Sequence, residues 1–230
     1  MSFFADSFSA AIDLIITIDP ALYQVVFNSV SISLMAATTA GVLAIPAGIL
    51  MALNQFLGKQ LIQNILNTLM ALPTVLIGLL LYGLFSRLGP MGNLELLYTP
   101  SAIIIAQALL IFPIMMNLAI AAVTTADPRL VPTLISLGAK PLALVIQVAK
   151  QTRFIMLAAV ITGFGRAIGE VGAAMMVGGN IEGYTRTMTT AIALETGKGE
   201  FEVGLALGLL LLLIAFFVNF ILSWLQQEYR

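Results

Sequence analysis

An all-α integral membrane protein with five transmembrane helices is the fold class this sequence predicts, and three observations predict it. Of 230 residues, 60% are hydrophobic and only 9% are charged, against roughly 25% charged in an ordinary soluble domain. Apolar runs of the length needed to cross a bilayer, about 20 residues for about 30 Å of hydrocarbon, recur five times. None of them alternates polar and apolar residues as a membrane-spanning strand would. A helix satisfies its own backbone polar groups inside hydrocarbon, so the spans are expected to be helical.

The first span is expected at residues 28–53, inside an interval from Asp19 to Lys59 that holds no charge between its ends. The second is expected at 61–85, the third at 101–123, the fourth at 154–177 and the fifth, the most uniformly aliphatic, at 203–225. The first three carry Pro46, Pro73 and Pro113 in their interiors. Proline removes a backbone donor and bends a helix; the bends either only shape the helices or splay them around a cavity.

Two domains of unequal weight follow. Residues 1–19 form an N-terminal interfacial amphipathic segment, with Phe3, Phe4, Phe8, Ala11, Ile12 and Ile15 on one helical face and Asp6, Ser9 and Asp13 elsewhere; a frayed tail is the alternative. There is no basic region ahead of it, so a cleavable signal peptide is not expected. Residues 20–230 form a single transmembrane domain with a long loop at 124–153. Orientation follows from basic residues. With the C-terminus in the cytoplasm, Lys59, Arg129, Lys140, Lys150, Arg153 and Arg230 lie inside and Arg87, Arg186 and Lys198 outside. The N-terminus is then external.

Composition excludes several function classes. A net charge of −1 argues against a nucleic-acid partner. The chain has no cysteine and no histidine, so disulfides, thiol chemistry, Ser-His-Asp catalysis and histidine metal sites are ruled out. No phosphate-binding loop of the Gly-x4-Gly-Lys-Ser/Thr type occurs. The spans hold one carboxylate, Glu170. No catalytic residue, cofactor or metal site is expected, and any ATP must be hydrolysed by a separate subunit.

The most informative stretch is 163–180, GFGRAIGEVGAAMMVGGN. It places Arg166 and Glu170 inside an otherwise apolar run, where each charge costs about 2.5–3.5 kcal/mol on insertion scales. Four residues apart, they share a helical face and can pair. Gly165, Gly169 and Ala173 repeat at the same spacing, a pattern that admits close helix packing. Two readings stand. The pair fixes helix packing, the reading we favour because a carboxylate lining an anion path repels the substrate; or Arg166 attracts an anion and Glu170 tempers it.

Hydroxyls cluster twice. Ser29, Ser31, Ser33, Thr38 and Thr39 lie in the first span. Asn180, Thr185, Thr187, Thr189 and Thr190, with Met188 among them, follow the fourth. The second group is the candidate for a translocation path or outer gate, the alternative being hydroxyls bonded to backbone or to a neighbouring helix.

The loop at 124–153 carries a short helix. Asp127 reads as its N-cap with Pro128 at the first helical position, Pro132 as a break or restart, and Gly138 as its stop signal. Leu134, Ile135 and Leu137 are apolar knobs ahead of Gly138 and Ala139. The segment is either a coupling element that carries a partner's motion into the spans or an ordinary connector.

This helix followed by Gly138-Ala139 resembles the EAA loop of ABC importer permeases, although Pro132, Thr133 and Leu134 stand where that family has Glu-Ala-Ala. The segments 136–139 (SLGA), 163–173 (GFGRAIGEVGA), 178–181 (GGNI) and 185–195 (TRTMTTAIALE) resemble the oxyanion branch, which covers sulfate, molybdate and tungstate uptake. The wording is most similar to the tungstate type, and the resemblance extends over about residues 28–225. It implies the type I permease fold in a prokaryotic cytoplasmic (inner) membrane and a homodimer. Two cytoplasmic ABC ATPase subunits, an external substrate-binding protein and transport by alternating access complete what it implies. On this resemblance Asp127, Leu134, Ile135, Gly138 and Ala139 couple to the ATPase. A molybdate or sulfate permease is the alternative within the family. Outside it, an ion-coupled secondary transporter would need intramembrane acidic relays and inverted repeats, and a scaffold would need neither paired charges nor a coupling loop.

Overall fold

The computed structural model describes residues 3–127 and 129–227. Among these residues the chain forms helices and no strands. The helices are α1 (Phe3–Ile16), α2 (Pro20–Leu53), α3 (Lys59–Met70), α4 (Thr74–Phe85), α5 (Pro100–Thr124) and α6 (Leu130–Ser136). They continue with α7 (Pro141–Gln151), α8 (Arg153–Ile168), α9 (Gly172–Gly178), α10 (Met188–Lys198) and α11 (Phe201–Gln227).

The two central helices begin alike. Asp19 accepts the Leu22 N–H at 2.9 Å and Thr99 accepts the Ala102 N–H at 3.3 Å. Each cap is followed by a proline, Pro20 or Pro100, whose missing donor would have been orphaned there anyway. α2, the helix of the first expected span, therefore starts eight residues before the expected 28. At its far end Lys59 Nζ donates to the Asn54 carbonyl at 3.0 Å, placing a cation where the helix leaves carbonyls unpaired.

α2 and α5 run in parallel, and α8 returns against both. Ile32 meets Ala102, Ile103 and Ala106 near one end. Ile49 meets Ala119, Ala122 and Met156 near the other. Within hydrocarbon there is no hydrophobic force to join helices, so close van der Waals fit has to do it. α2 supplies the fit with Ala36, Ala40, Ala44 and Gly48, all buried and spaced by four residues. A Cβ on Gly48 would lie 2.7 Å from both Ala119 Cβ and the Met116 carbonyl oxygen. α4 packs on α5 and α9, and α11 on α1, α8 and α10.

By length and composition the spans number three, or up to the expected five if each bent pair is one span. Three helices are individually long and apolar enough to cross a membrane: Pro20–Leu53, Pro100–Thr124 and Phe201–Trp224. Two further pairs qualify only jointly, α3 with α4 across a 99° bend and α7 with α8 across a 77° bend. Pro46 and Pro113 sit inside unbroken helices, whereas Pro73 sits at the break. The difference lies in what precedes it. α3 carries Gln60, Gln63, Asn64 and Asn67, and Asn67 Oδ1 accepts from Asn117 Nδ2 of α5 at 3.1 Å. That bond ties α3 to α5 on the far side of the bend from α4. The expected fourth span is also interrupted, since α8 stops at Ile168 and α9 restarts at Gly172.

α1 is helical over Phe3–Ile16, so a frayed tail is not what forms there. It buries Ser7 and Ala11 and leaves Phe4 and Phe8 exposed. Phe3 meets Phe201 of α11 with ring centroids 5.6 Å apart.

Gly48→Ala is expected to lower stability by about 1–3 kcal/mol, the usual penalty for overpacking a filled contact. Gly83→Ala, on a helix position with open space around it, should be neutral or slightly stabilising. Thermal unfolding of the purified protein in detergent measures both; a Gly48→Ala variant as stable as the parent would contradict the closeness of the α2–α5 contact.

Candidate functional site

A helix that stops inside a membrane exposes carbonyls at one end and amides at the next start, and each must find a partner. Between Ile168 and Gly172 these partners converge on one residue. Glu170 Oε1 accepts the Ala173 N–H at 3.1 Å, capping the start of α9. Its Oε2 accepts from Arg166 Nη1 at 3.1 Å. Its backbone carbonyl accepts the Thr189 hydroxyl at 2.7 Å, and its N–H donates to the Ala167 carbonyl at 3.0 Å. The same Ala167 carbonyl accepts from Gln107 Nε2 of α5, also at 3.0 Å. Every polar group of Glu170 is engaged, and its side chain is 3% exposed against 44% for Arg166.

The spacing of four thus produced the ion pair, but not as two residues on one continuous helix. α8 ends between them. The glycine pattern also differs from the expectation. Gly165 has Val218 no nearer than 3.8 Å from an added Cβ, and Gly169 has only the Gly165 carbonyl at 3.9 Å. Both are exposed. Ala173 is buried, and it is Gly78 of α4 that approaches it, with an added Cβ 2.9 Å from Ala173 Cα. Gly163 against Met115, Gly172 against Val75 and Gly178 against Ile103 are further tight approaches, at 2.5, 2.7 and 2.6 Å.

The hydroxyl cluster after α9 is packed inside the chain. Thr185, Thr187, Thr189, Thr190 and Met188 are all buried. Thr187 and Thr190 form a reciprocal cap at the start of α10, with the Thr187 N–H donating to Thr190 Oγ1 at 3.0 Å. Thr185 Oγ1 donates to the Gly178 carbonyl at 2.6 Å and accepts the Ile181 N–H at 2.9 Å. The Met188 N–H donates to Ser29 Oγ of α2 at 2.6 Å. Asn180, with φ +52°, donates from Nδ2 to the Thr190 carbonyl at 3.3 Å. These groups anchor α10 to the break and to α2. In the first span Thr38 and Thr39 are exposed and bond the carbonyls four residues back.

In the 124–153 segment, Asp127 Oδ1 accepts the Arg129 N–H at 2.8 Å, ahead of a helix that starts at Leu130. Pro128, expected at the first helical position, lies outside the described residues. No break occurs at Pro132: it is the third residue of α6, in the turn whose amides have no intrahelical acceptor. Gly138 ends the segment at φ +76°, with the Ala139 N–H donating to the Leu134 carbonyl at 3.0 Å, a left-handed helix stop. The three knobs divide. Leu134, with Leu130 and Val131, packs against the cluster of Ile49, Ala119, Val148 and Met156. Ile135 and Leu137 are 59% and 77% exposed.

Gln107 is the residue that sequence reasoning missed. It and Asn117 are the only amides in the apolar run of α5, and a buried amide needs a partner. Among the described residues no group of three or more Asp, Glu, His or Cys is placed to hold a metal ion.

Residues 44–230 match the family described as "Binding-protein-dependent transport system inner membrane component". The chain is 40% identical over 228 residues to the tungstate uptake system permease protein TupB of Peptoclostridium acidaminophilum, covering 99% of this chain and 100% of that one. It is 43% identical over 173 residues to TupB of Campylobacter jejuni, covering 75% and 72%. A probable anion ABC transporter permease protein of Haloferax volcanii is 34% identical over 203 residues, covering 86% and 88%. The crystal structure of an amino acid ABC transporter with histidines shares the fold, with a TM-score of 0.68 at 16% identity over 93% of this chain and 96% of that one. The chain belongs to the family of binding-protein-dependent transport system inner membrane components.

Arg166→Ala is expected to destabilise the fold by about 3 kcal/mol, at the low end for breaking a buried pair because Arg166 is half exposed. Adding Glu170→Gln should recover much of that loss, since the amide oxygen still accepts from Ala173 and no unpaired charge remains. Unfolding midpoints of both single variants and the double variant measure it. No coupling between the two changes would remove the structural role of the pair.

Proposed function

We propose that this chain is the transmembrane permease subunit of an ABC importer for a tetrahedral oxyanion, with tungstate as the substrate and molybdate or sulfate as the family alternatives. The observation that carries this reading is the 40% identity to a tungstate uptake permease along essentially the whole of both chains. The permease works as a homodimer, with two ATPase subunits on the cytoplasmic face and a binding protein outside. α2, α5, α11 and the two bent pairs make five crossings, the N-terminus lies outside and the C-terminus inside. α1 lies along the outer membrane surface with Phe4 and Phe8 toward lipid.

In this reading α6 is the coupling element. Leu134 fastens it to α2, α5, α7 and α8, and Ile135 and Leu137 meet the ATPase. ATP binding draws two such segments together, and the rigid connection to α8 carries the motion to the break at Glu170. The bonds around Glu170 keep its carboxylate off the path. The half-exposed Arg166 shares an exposed face with Thr162, Gly165 and Gly169 and is the cation that a passing dianion meets. The fully engaged Glu170 supports a structural role for the pair, and the partial exposure of Arg166 supports an additional one in transport.

Three experiments test the proposal. Tungstate uptake by cells expressing the permease with its ATPase and binding protein should require all three; uptake that persists without the ATPase subunit would overturn an ABC mechanism. Cysteines placed at Ser136 and Gly197, one at a time in a chain that has none, should label differently in intact cells. Ser136→Cys should react only with a permeant reagent and Gly197→Cys also with an impermeant one, and the reverse pattern would invert the orientation. Ile135→Asp with Leu137→Asp should leave folded permease in the membrane but reduce ATPase co-purification several-fold; unchanged co-purification would remove α6 from the coupling surface.

A further inference from the structure

At the end of the bundle opposite the 124–153 segment, two cavities meet at a pair of tyrosines. The larger, about 830 Å³, is lined by Ser86, Arg87, Asn93 and Glu95 among others. The smaller, about 490 Å³, is floored by Met175 and Met176 of α9. Tyr82 and Tyr98 line both, with ring centroids 6.4 Å apart in an edge-to-face arrangement.

The backbone holds this pair in place under strain. Tyr98 has φ +63°, a left-handed conformation uncommon for a bulky side chain. Its N–H donates to the Val177 carbonyl at 2.8 Å, and its ring covers Gly179 so closely that a Cβ there would lie 2.6 Å from it. Glu95 at φ +49° and Asn180 at φ +52° add two more left-handed residues on or beside the same cavities. Such strain, about 1–3 kcal/mol each, persists where the surroundings over-determine it and clusters at ligand-holding sites.

We propose that this double cavity is the outer receiving site for the oxyanion, in which the Tyr82 and Tyr98 hydroxyls and the Asn93 amide donate to its oxygens while the Arg87 guanidinium attracts it. The inference rests on the oxyanion-permease reading above. Neutral donors suit a dianion that must leave again, because a site that conducts has to bind weakly. Glu95 lines the larger cavity with Arg87 and offsets its charge, which keeps the site weak. Three residues of α9, about 5 Å at about 1.5 Å per residue, separate Met175 of the cavity floor from the start of that helix beside the break at Glu170. The site therefore sits one step outside Arg166.

The test uses the absence of cysteine from the chain. A single Ser86→Cys variant of the permease in nanodiscs is labelled with a thiol reagent in the presence of tungstate, molybdate, sulfate or chloride at matched ionic strength. Tungstate should slow labelling several-fold, chloride should not, and the protection should be lost in Arg87→Gln and reduced in Tyr98→Phe, which keeps the ring over Gly179. Unfolding midpoints confirm that both variants are folded, and each variant tests the site without the other. No protection by any oxyanion, equal protection by chloride, or protection unchanged in both variants would overturn the site. Protection by sulfate but not by tungstate would leave the site standing and overturn tungstate as the substrate. The labelling needs neither ATPase nor binding protein, so its outcome is separate from that of the uptake experiment.

Discussion

A helix interrupted inside hydrocarbon must find partners for the backbone groups it exposes, because lipid offers none. Glu170 meets that constraint here. One carboxylate ends α8 through Arg166 and begins α9 through the Ala173 amide, while the residue's own carbonyl receives Thr189 from the start of α10. Gln107 completes the arrangement from α5. Four helices are thereby tied at one point, and an apolar substitution there would leave the Arg166 guanidinium and the Ala173 N–H without their partner at once.

The frame around this point depends on small residues instead. Ala36, Ala40, Ala44 and Gly48 let α2 lie against α5, and Gly163 admits Met115 of α5 against α8. Gly78 and Gly172 bring α4 onto α9 in the same way. In the proposal, rigid packing on both sides of a polar break lets α6, anchored by Leu134, move the bundle as a body. In the proposed cycle the break is the place where two packed units meet, and the exposed edge of Arg166 is what remains available to substrate.

Much of this was legible in the residues. The apolar runs located all three long helices, and Gly138 marked the end of α6. The earlier start of α2 was also written in the chain as Asp19-Pro20, a cap and proline that Thr99-Pro100 repeats. The break at Pro73 was visible in the amides of α3, which are poorly suited to lipid, whereas proline alone could not distinguish it from Pro46 and Pro113. What periodicity could not convey was the partner of each polar group. Gly165, Gly169 and Ala173 fit a packing pattern, yet only Ala173 is packed, because the neighbours that decide this come from α4 and α11. The threonines at 187, 189 and 190 looked available for a gate; Thr189 bonds the Glu170 carbonyl, and Thr187 and Thr190 bond each other in the cap of α10. Leu134 and Ile135 are adjacent in sequence, but only the fold reveals that one faces the core and the other solvent.

The central claim is that Glu170 joins α9 and α10 into one unit across the break. Hydrogen–deuterium exchange of Thr189→Val, which removes the hydroxyl that reaches the Glu170 carbonyl, against the parent protein tests it directly. The account predicts faster exchange in residues 171–178 and 187–191 together, although they are separate in sequence, with α2 and α5 unchanged. Faster exchange confined to 187–191, with 171–178 as protected as in the parent, would contradict it.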